Sequence, residues 1–213
     1  MFLDFLLSPE WAHEQGLVAV GGDLRPERLL QAYRRGVFPW FDEDGPILWW
    51  SPDPRAIFEL DGLHISRRLQ RTLRSGKFSV TFDQDFAGVI RGCAARPAEG
   101  TWITADMISA YEKLHELGYA HSVEAWHDGK LAGGVYGVAV NGLFAGESMF
   151  TRVRDASKLA LAHLMERLRE RGFRLFDIQF RTEHTTRLGA IEIPRAIYLK
   201  RLREALGVPV TFT

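Results

Sequence analysis

The sequence predicts an α+β fold whose C-terminal part is a mixed, largely antiparallel sheet flanked by helices. Two hairpin signals support this prediction, because Asp128-Gly129 and Asn141-Gly142 each separate two apolar runs. The third run is followed by a long amphipathic segment, 155–172, for which Asp155 is the expected N-cap. A further apolar strand, FRLFDIQF, comes directly after that helix. We therefore expect hairpins and a strand–helix–strand unit in one sheet.

The N-terminal region has a different character. Residues 1–60 are expected to form a small N-terminal α/β domain packed on a larger domain over residues 61–213. Its most unusual stretch is FPWFDEDGPILWWSPDPR, residues 38–55, which contains four prolines and three tryptophans. Proline interrupts regular structure, so we expect an ordered loop with at most one short strand.

Helix start and stop signals locate the remaining elements. Pro26 and Gly36 bracket one helix, and Thr104 and Gly118 bracket another. Proline favours the first helical turn, threonine caps the N-terminus, and glycine suits the residue after the last turn. Apart from 155–172, the predicted elements are helices over 26–36, 65–77, 85–95, 104–118 and 194–206, and a strand over 78–82.

Composition limits the classes of function. The chain has 213 residues, 46% of them hydrophobic and 25% charged, which is typical of a soluble globular protein of one or two domains. The formal net charge is zero, so attraction to nucleic acid would have to come from a local patch. Cys93 is the single cysteine, which excludes an internal disulfide and fits a reducing compartment. With neither a signal peptide nor a membrane span in the sequence, a cytoplasmic location and no membrane partner are expected.

The strand FDIQF carries two polar side chains within an apolar run. Alternation places Asp177 and Gln179 on one face of the strand. In LFAGESMF, Glu147 shares a face with Ala145 and Met149. If the two strands are neighbours, a carboxylate–amide–carboxylate cluster results. A solvated sheet face with scattered polar residues would give the same pattern, and alternation alone does not decide between them.

A basic segment is the second candidate site. Arg67, Arg71 and Arg74 fall on one helix face, with Arg68 and Lys77 beside them, and no acid interrupts residues 65–77. The segment is a candidate phosphate-binding surface, although a short charged run is more often a solvated helix face.

The sequence lacks the motifs of several other kinds of catalytic and binding site. The seven histidines form no H-E-x-x-H motif, and the chain has no CxxC, P-loop or GxGxxG pattern. Ser148 lies in GESMF, which does not satisfy the G-x-S-x-G pattern of a nucleophile elbow. The sequence therefore predicts neither a metal site nor a cofactor.

The order of the C-terminal elements resembles that of GNAT-class acetyltransferases. Those enzymes hold the pyrophosphate of CoA on a glycine-rich turn before the central helix. The corresponding junction here, MFTRVRDASKL, contains no glycine. We expect a sheet suited to acyl transfer that uses a donor other than CoA.

Collinear blocks resemble the leucyl/phenylalanyl-tRNA–protein transferase family. They are GLVAVGGDL, GVFPWF, ILWWSPDPR, LHISRRL, EGTWIT, AYEKLHELGYAHSVE, GGVYGV, FAGESMF, ASKLAL, FDIQ and EHTTRLGAIEIPR. The resemblance implies a small N-terminal domain, a GNAT-like C-terminal domain and no cofactor. It also implies transfer of Leu or Phe from aminoacyl-tRNA to the α-amine of proteins that begin with Arg or Lys, which marks them for degradation.

The same resemblance assigns site residues. Asp177 and Gln179 match the family's catalytic pair, and Glu147 matches the acid beside them. Residues near the terminal adenosine and the aminoacyl side chain would be Trp40, Trp102, Val135, Phe144, Met149, Leu161, Leu164, Leu168 and Phe176. The basic helix with Arg67, Arg68, Arg71, Arg74 and Lys77 would hold the acceptor stem of tRNA. Thr182 and Arg187 depart from the common pattern, which bears on the contacts with the acceptor peptide.

A working hypothesis gives each polar group a role. Gln179 would accept a hydrogen bond from the attacking amine through its amide oxygen, and Asp177 would polarise that amide. Glu147 and Asp177 would receive the basic N-terminal residue of the acceptor. An acyl-CoA N-acetyltransferase, a non-catalytic tRNA-binding protein and a related transferase with a different acceptor preference are the alternatives.

Overall fold

Two β-sheets organise the chain. The computed structural model describes residues 8–95 and 101–213. The smaller sheet has the order β1-β3-β2, and the larger one has the order β10-β4-β9-β8-β7-β6-β5. The strands are β1 (Leu17–Val20), β2 (Phe38–Pro39), β3 (Leu48–Trp50), β4 (Arg55–Phe58), β5 (Ser79–Phe82), β6 (Ala120–His127), β7 (Lys130–Val140), β8 (Leu143–Thr151), β9 (Leu175–Gln179) and β10 (Ile191–Ile193).

The larger sheet is mixed and largely antiparallel, which confirms the predicted fold class. Tight turns join β6 to β7 and β7 to β8, with positive φ at Asp128 (51°), Gly129 (70°) and Asn141 (51°). Residues of these types tolerate the left-handed region that short hairpin turns require. β8 and β9 form a parallel pair, and the chain between them contains a long helix.

Helices cover both faces of this sheet. They are α1 (Pro26–Arg34), α2 (Arg67–Arg74), α3 (Phe86–Ala94), α4 (Ala105–Glu116), α5 (Ala156–Arg171), α6 (Glu183–Arg187) and α7 (Arg195–Leu206), preceded by a 3₁₀ turn, Pro9–Trp11. The six helices that the sequence predicts are all present. The short helix α6 was not predicted, and it begins with a capping box between Thr182 and Thr185.

Asp155 occupies the predicted N-cap position of α5, but its side chain does not cap the helix. Its φ is 72°, and its side chain makes no capping hydrogen bond. Its carboxylate instead lies 3.3 Å from Arg68 Nε and 3.5 Å from Lys158 Nζ. The side chain therefore links α5 to α2.

The N-terminal region is more regular than its composition suggests. The stretch predicted as a loop, 38–55, contains β2 and β3 and the first residue of β4. β4 lies before residue 60 yet pairs with both β9 and β10 in the larger sheet. The domain boundary expected at residue 60 stays a prediction. Residues 1–7 and 96–100, which include most of the N-terminal apolar run and the start of the EGTWIT block, lie outside the described residues.

The hydrophobic core has two clusters. One contains residues of α1, α3, α4 and α7 together with sheet residues such as Tyr136 and Leu175. The other contains α5 together with Val135 and Phe176. Adjacent residues of one strand thus enter opposite clusters, as strand alternation requires. No helix in the described part of the chain has the length and apolar character needed to cross a membrane.

Candidate active site

A cavity of about 500 Å³ opens between β8 and β9. The two strands pair at three positions, and the last pair is Ala145 with Asp177. Beyond that pair, residues 146–151 line one side of the cavity and residues 178–180 line the other. Gly146 allows the close approach of the strands here, because a Cβ at this position would lie 2.8 Å from the ring of Phe176. The cavity is therefore built into the sheet at the point where two parallel strands separate.

Most of the cavity wall is apolar. The apolar residues that the resemblance assigned to the site and that line this cavity are Trp40, Trp102, Val135, Met149, Leu161 and Phe176. Phe38, Phe58 and Phe180 also line it. The remaining assigned residues, Phe144, Leu164 and Leu168, do not line the cavity but lie buried in the core cluster that contains α5. Their contact with an aminoacyl side chain is therefore not supported.

Asp177 forms a buried ion pair with Arg55. Arg55 Nε lies 2.8 Å from Asp177 Oδ1 and Arg55 Nη2 lies 2.7 Å from Oδ2, with each side chain 1% exposed. Tyr198 donates to Oδ2 at 2.9 Å. The guanidinium also donates to Gly36 O at 3.0 Å and lies between the rings of Phe38 and Tyr198. Planar, bidentate contacts of this kind hold both side chains in one geometry.

This ion pair argues against both roles that the working hypothesis gave to Asp177. Asp177 does not line the cavity, and its Oδ1 accepts a hydrogen bond from the backbone N–H of Gln179 at 3.0 Å. The contact supports the positive φ of Gln179, 59°, a conformation that glutamine seldom adopts. The structure therefore contradicts direct polarisation of the Gln179 amide by Asp177. It also removes Asp177 as a receptor for a basic substrate residue, since Arg55 already neutralises it.

Glu147 does reach Gln179, as the strand pattern allowed. Gln179 Nε2 lies 3.3 Å from Glu147 Oε1. Two phenols also contact this carboxyl: the hydroxyl of Tyr33 lies 2.9 Å from Oε1, and that of Tyr111 lies 3.3 Å from Oε2. Burial raises the pKa of Glu147 to about 8, and the charge of Asp177 adds to this, while the hydrogen bonds from the phenols and the charge of Arg55 act in the opposite direction.

The cavity mouth has a basic side. His184 lines the cavity, and its pKa is lowered by burial and by the positive charges of Lys158 and Arg187. The five residues of the basic segment, Arg67, Arg68, Arg71, Arg74 and Lys77, are exposed on α2 and the turn after it. Through the contact of Arg68 with Asp155, α2 lies beside the first turns of α5, where Ser157 and Leu161 line the cavity.

Metal ligation has no visible basis in the described residues. Within 8–95 and 101–213, no three or more His, Cys, Asp or Glu side chains are grouped so that they could hold a metal ion. The carboxyl of Glu147 instead contacts phenols, and that of Asp177, behind the cavity wall, accepts from a guanidinium and from a backbone N–H. The arrangement suits orientation and proton exchange between the half-buried Glu147 and a polar reactant in the cavity.

Two family models match the chain. Residues 57–203 match the leucyl/phenylalanyl-tRNA protein transferase model, and residues 22–53 match the model of its N-terminal domain. A leucyl/phenylalanyl-tRNA–protein transferase of Solidesulfovibrio magneticus is 57% identical over 93% of this chain and 81% of its own length. One of Anaeromyxobacter dehalogenans is 56% identical over 94% of this chain and 88% of its own.

Solved structures give weaker likenesses. A ribosomal-protein-alanine N-acetyltransferase of Brucella melitensis matches with a TM-score of 0.38 and 21% identity. The match covers 50% of this chain and 81% of the acetyltransferase chain. The aminoglycoside N-acetyltransferase AAC(6')-Iy, in complex with CoA, matches with a TM-score of 0.36 and 18% identity. The match covers 63% of this chain and 89% of that enzyme's chain.

Proposed function

Because the chain belongs to the leucyl/phenylalanyl-tRNA protein transferase family, we propose that it moves Leu or Phe from aminoacyl-tRNA to the α-amine of a protein. Met is a further donor candidate. The acceptors are proteins that begin with Arg or Lys, and the added residue marks them for N-degron proteolysis. This assignment makes the chain an aminoacyl transferase that acts in the cytoplasm.

The observation that carries this proposal is the apolar cavity with a polar end. Its volume of about 500 Å³ suits an aminoacyl side chain together with the neighbouring ester, and its polar end carries Glu147 and Gln179. Val135, Met149 and Leu161 supply aliphatic walls that suit unbranched Cβ atoms. Rejection of Ile and Val on shape alone amounts to about 1–3 kcal/mol for one misplaced methyl group.

The chemistry asks for orientation more than for a strong base. The donor is an activated ester, and the pKa of an α-amine is about 7.7–8.0, so much of the acceptor is already a free amine at neutral pH. Holding amine and ester together reaches effective molarities of roughly 10⁵–10⁸ M. Gln179, which lines the cavity, accepts a hydrogen bond from the attacking amine through Oε1.

The acceptor's basic residue meets a single carboxyl within the described cavity lining. Glu147 is that carboxyl, since Asp177 is paired with Arg55 behind the wall. A protonated carboxyl keeps an acceptor oxygen, to which the basic side chain donates a hydrogen bond. The preference for Arg or Lys follows from this contact.

Transfer RNA binds on the basic side of the cavity mouth. Replacing Arg67, Arg71 and Arg74 together with glutamine is expected to weaken aminoacyl-tRNA binding. Each phosphate that a side chain neutralises contributes about 0.7–0.9 to the steepness of log K against log salt, so the slope should become shallower by about 2–3. Equilibrium binding measured from low to high salt checks this expectation.

A matched control separates the site from total charge. Arg169, Arg171 and Arg174 are also exposed, and they lie at or just beyond the C-terminal end of α5, while Ser157 and Leu161 of its first turns line the cavity. The triple glutamine variant at these positions removes the same charge and is expected to keep the salt slope of the wild type. Equal effects in both triple variants would show that α2 has no particular role.

An acyl-CoA donor fits less well. In acetyltransferases of this connectivity the pyrophosphate meets backbone N–H groups at the start of the central helix. Here Asp155 stands at that position with a backbone φ of 72°, and its carboxylate contacts Arg68 and Lys158. A pyrophosphate would have to displace a carboxylate from its two cations.

Labelled donors and defined peptides test the proposal. The protein is incubated with radiolabelled Leu-, Phe-, Met- or Ile-tRNA and with peptides that begin with Arg, Lys, Asp or Glu. We expect label from Leu and Phe on the Arg and Lys peptides and little from Ile. Label on the acidic peptides alone would indicate a related transferase with another acceptor preference. Acetylation by acetyl-CoA without tRNA, or tight tRNA binding without transfer, would overturn the proposal.

A further inference from the structure

Three hydrogen bonds form a closed ring around Glu147. Tyr33 contacts Oε1 and Tyr111 contacts Oε2, at 2.9 and 3.3 Å, and the two phenol oxygens contact each other. Three hydrogen bonds need three hydrogens, but two phenols carry one each. Burial raises the pKa of both phenols well above their usual range, so both keep their protons. The third hydrogen must then belong to the carboxyl of Glu147.

The orientation of the Gln179 amide agrees with a neutral Glu147. In one orientation its Nε2 faces Glu147 Oε1 at 3.3 Å. Turned over, Nε2 donates to Gly146 O and Ile178 O, both at 2.9 Å, and the amide oxygen faces Glu147. The second orientation makes two short hydrogen bonds in place of one long contact, so we assign it. At 3.3 Å the two oxygens need no hydrogen between them, but the negative end of the amide dipole lies more favourably beside a neutral carboxyl than beside a carboxylate.

We propose that Glu147 is a protonated carboxyl in the free protein and that it exchanges protons with both reactants during aminoacyl transfer. This role rests on the proposed function. The amine nitrogen attacks the ester carbonyl carbon, the C–N bond forms, and the C–O bond to the ribose breaks. Glu147 gives its proton to the leaving ribose oxygen, and the proton that the amine loses returns to Glu147. Atoms and charge balance without a co-reactant.

The surroundings of Glu147 favour this neutral state. Four ionisable side chains face it: Tyr33 from α1, Tyr111 from α4, Asp177 from β9 and Arg55 from β4. Asp177 opposes ionisation of Glu147, while the phenol hydrogen bonds and Arg55 favour it, and burial is the largest influence. Tyr33 lies on α1, so the N-terminal region supplies one of the two phenols that contact the Glu147 carboxyl on β8 of the larger sheet.

Unfolding equilibria test the protonation state without any substrate. The pKa of Glu147 is about 8 in the folded protein against 4.5 ordinarily, so the folded state holds more protons between these values. The free energy of unfolding of the wild type should therefore fall as pH rises from about 5 to about 8, relative to Glu147→Gln. Urea titrations of both proteins across this range measure the difference. A difference that is independent of pH would overturn the protonated state.

Kinetics test the second half of the proposal. Removal of the exchangeable proton in Glu147→Gln should lower kcat by about 10²-fold or more, and it should abolish the loss of activity above pH 8. Tyr33→Phe removes a donor to the carboxylate, so it should move both that loss of activity and the fall in the free energy of unfolding to higher pH than in the wild type. This comparison needs only the wild type and Tyr33→Phe, so it remains a test if Glu147→Gln does not fold. Tyr119→Phe, which alters a phenol outside the ring, should change neither.

The outcomes separate this inference from the proposed function. A kcat for Glu147→Gln within threefold of the wild type, or a pH dependence unmoved in Tyr33→Phe, would refute proton exchange by Glu147. A wild type that transfers no amino acid would refute the proposed function, while the unfolding measurement would still report the protonation of Glu147.

Discussion

Replacing Arg55 with methionine is expected to lower the free energy of unfolding by about 3–5 kcal/mol. Asp177 would then be a buried carboxylate without its cation, at 1% exposure and within the core of the larger sheet. Removal of the hydrogen bond to the Gly36 carbonyl and of packing between Phe38 and Tyr198 adds to the effect. Equilibrium urea unfolding, followed by far-UV circular dichroism, measures the change.

Two further variants make this expectation specific. Arg201→Met breaks another arginine–carboxylate pair, with Glu59 at 2.6 Å, but those side chains are 38% and 43% exposed, so the expected loss is about 0–1 kcal/mol. The double variant Arg55→Met with Asp177→Leu removes both buried charges and should be more stable than Arg55→Met alone. A double variant that is no more stable than the single one would contradict an unpaired carboxylate as the cause.

Elements whose signals are local were predictable from the sequence. The hairpin dipeptide Asp128-Gly129 and the cap Thr104 each act over a few neighbouring residues, and both take the predicted roles. The small N-terminal sheet was not predictable in this way, since its strands have only two to four residues and one of them contains Pro39. Strands this short exist because distant segments pair with them.

The site was predictable in part, for the same reason. Alternation allowed Glu147 and Gln179 to meet if their strands were neighbours, and in the structure β8 and β9 are paired and the Gln179 amide lies 3.3 Å from Glu147 Oε1. Arg55 was missed because its partner is 122 residues away, although a single charge that opens the apolar strand RAIF is a signal that a buried partner exists. The role of Tyr33 was not predictable either, because its hydroxyl contact with Glu147 depends on how α1 packs on the sheet.

Replacing Asp177 with asparagine is expected to lower turnover about 10²-fold while leaving the affinity for aminoacyl-tRNA close to that of the wild type. Asp177 does not line the cavity, so its removal should not touch the bound donor. Its Oδ1 holds the backbone N–H of Gln179, which fixes that residue at a φ of 59° and so aims its amide. A displacement of about 1 Å in a positioned group can cost 10²-fold in rate.

Single-turnover measurements at saturating aminoacyl-tRNA, together with a separate binding titration, distinguish orientation from donor binding. Because Asp177→Asn also leaves Arg55 without its anion, each rate must be corrected for the folded fraction. Tyr198→Phe provides the comparison, since it removes the 2.9 Å hydrogen bond to Asp177 Oδ2 but preserves both the ion pair and the contact with Gln179. We expect that variant to lose only a few-fold in turnover. If folded Asp177→Asn and Tyr198→Phe were equally active, the backbone of Gln179 would not depend on the charge of Asp177, and the αL conformation would have to be maintained by the cavity wall itself.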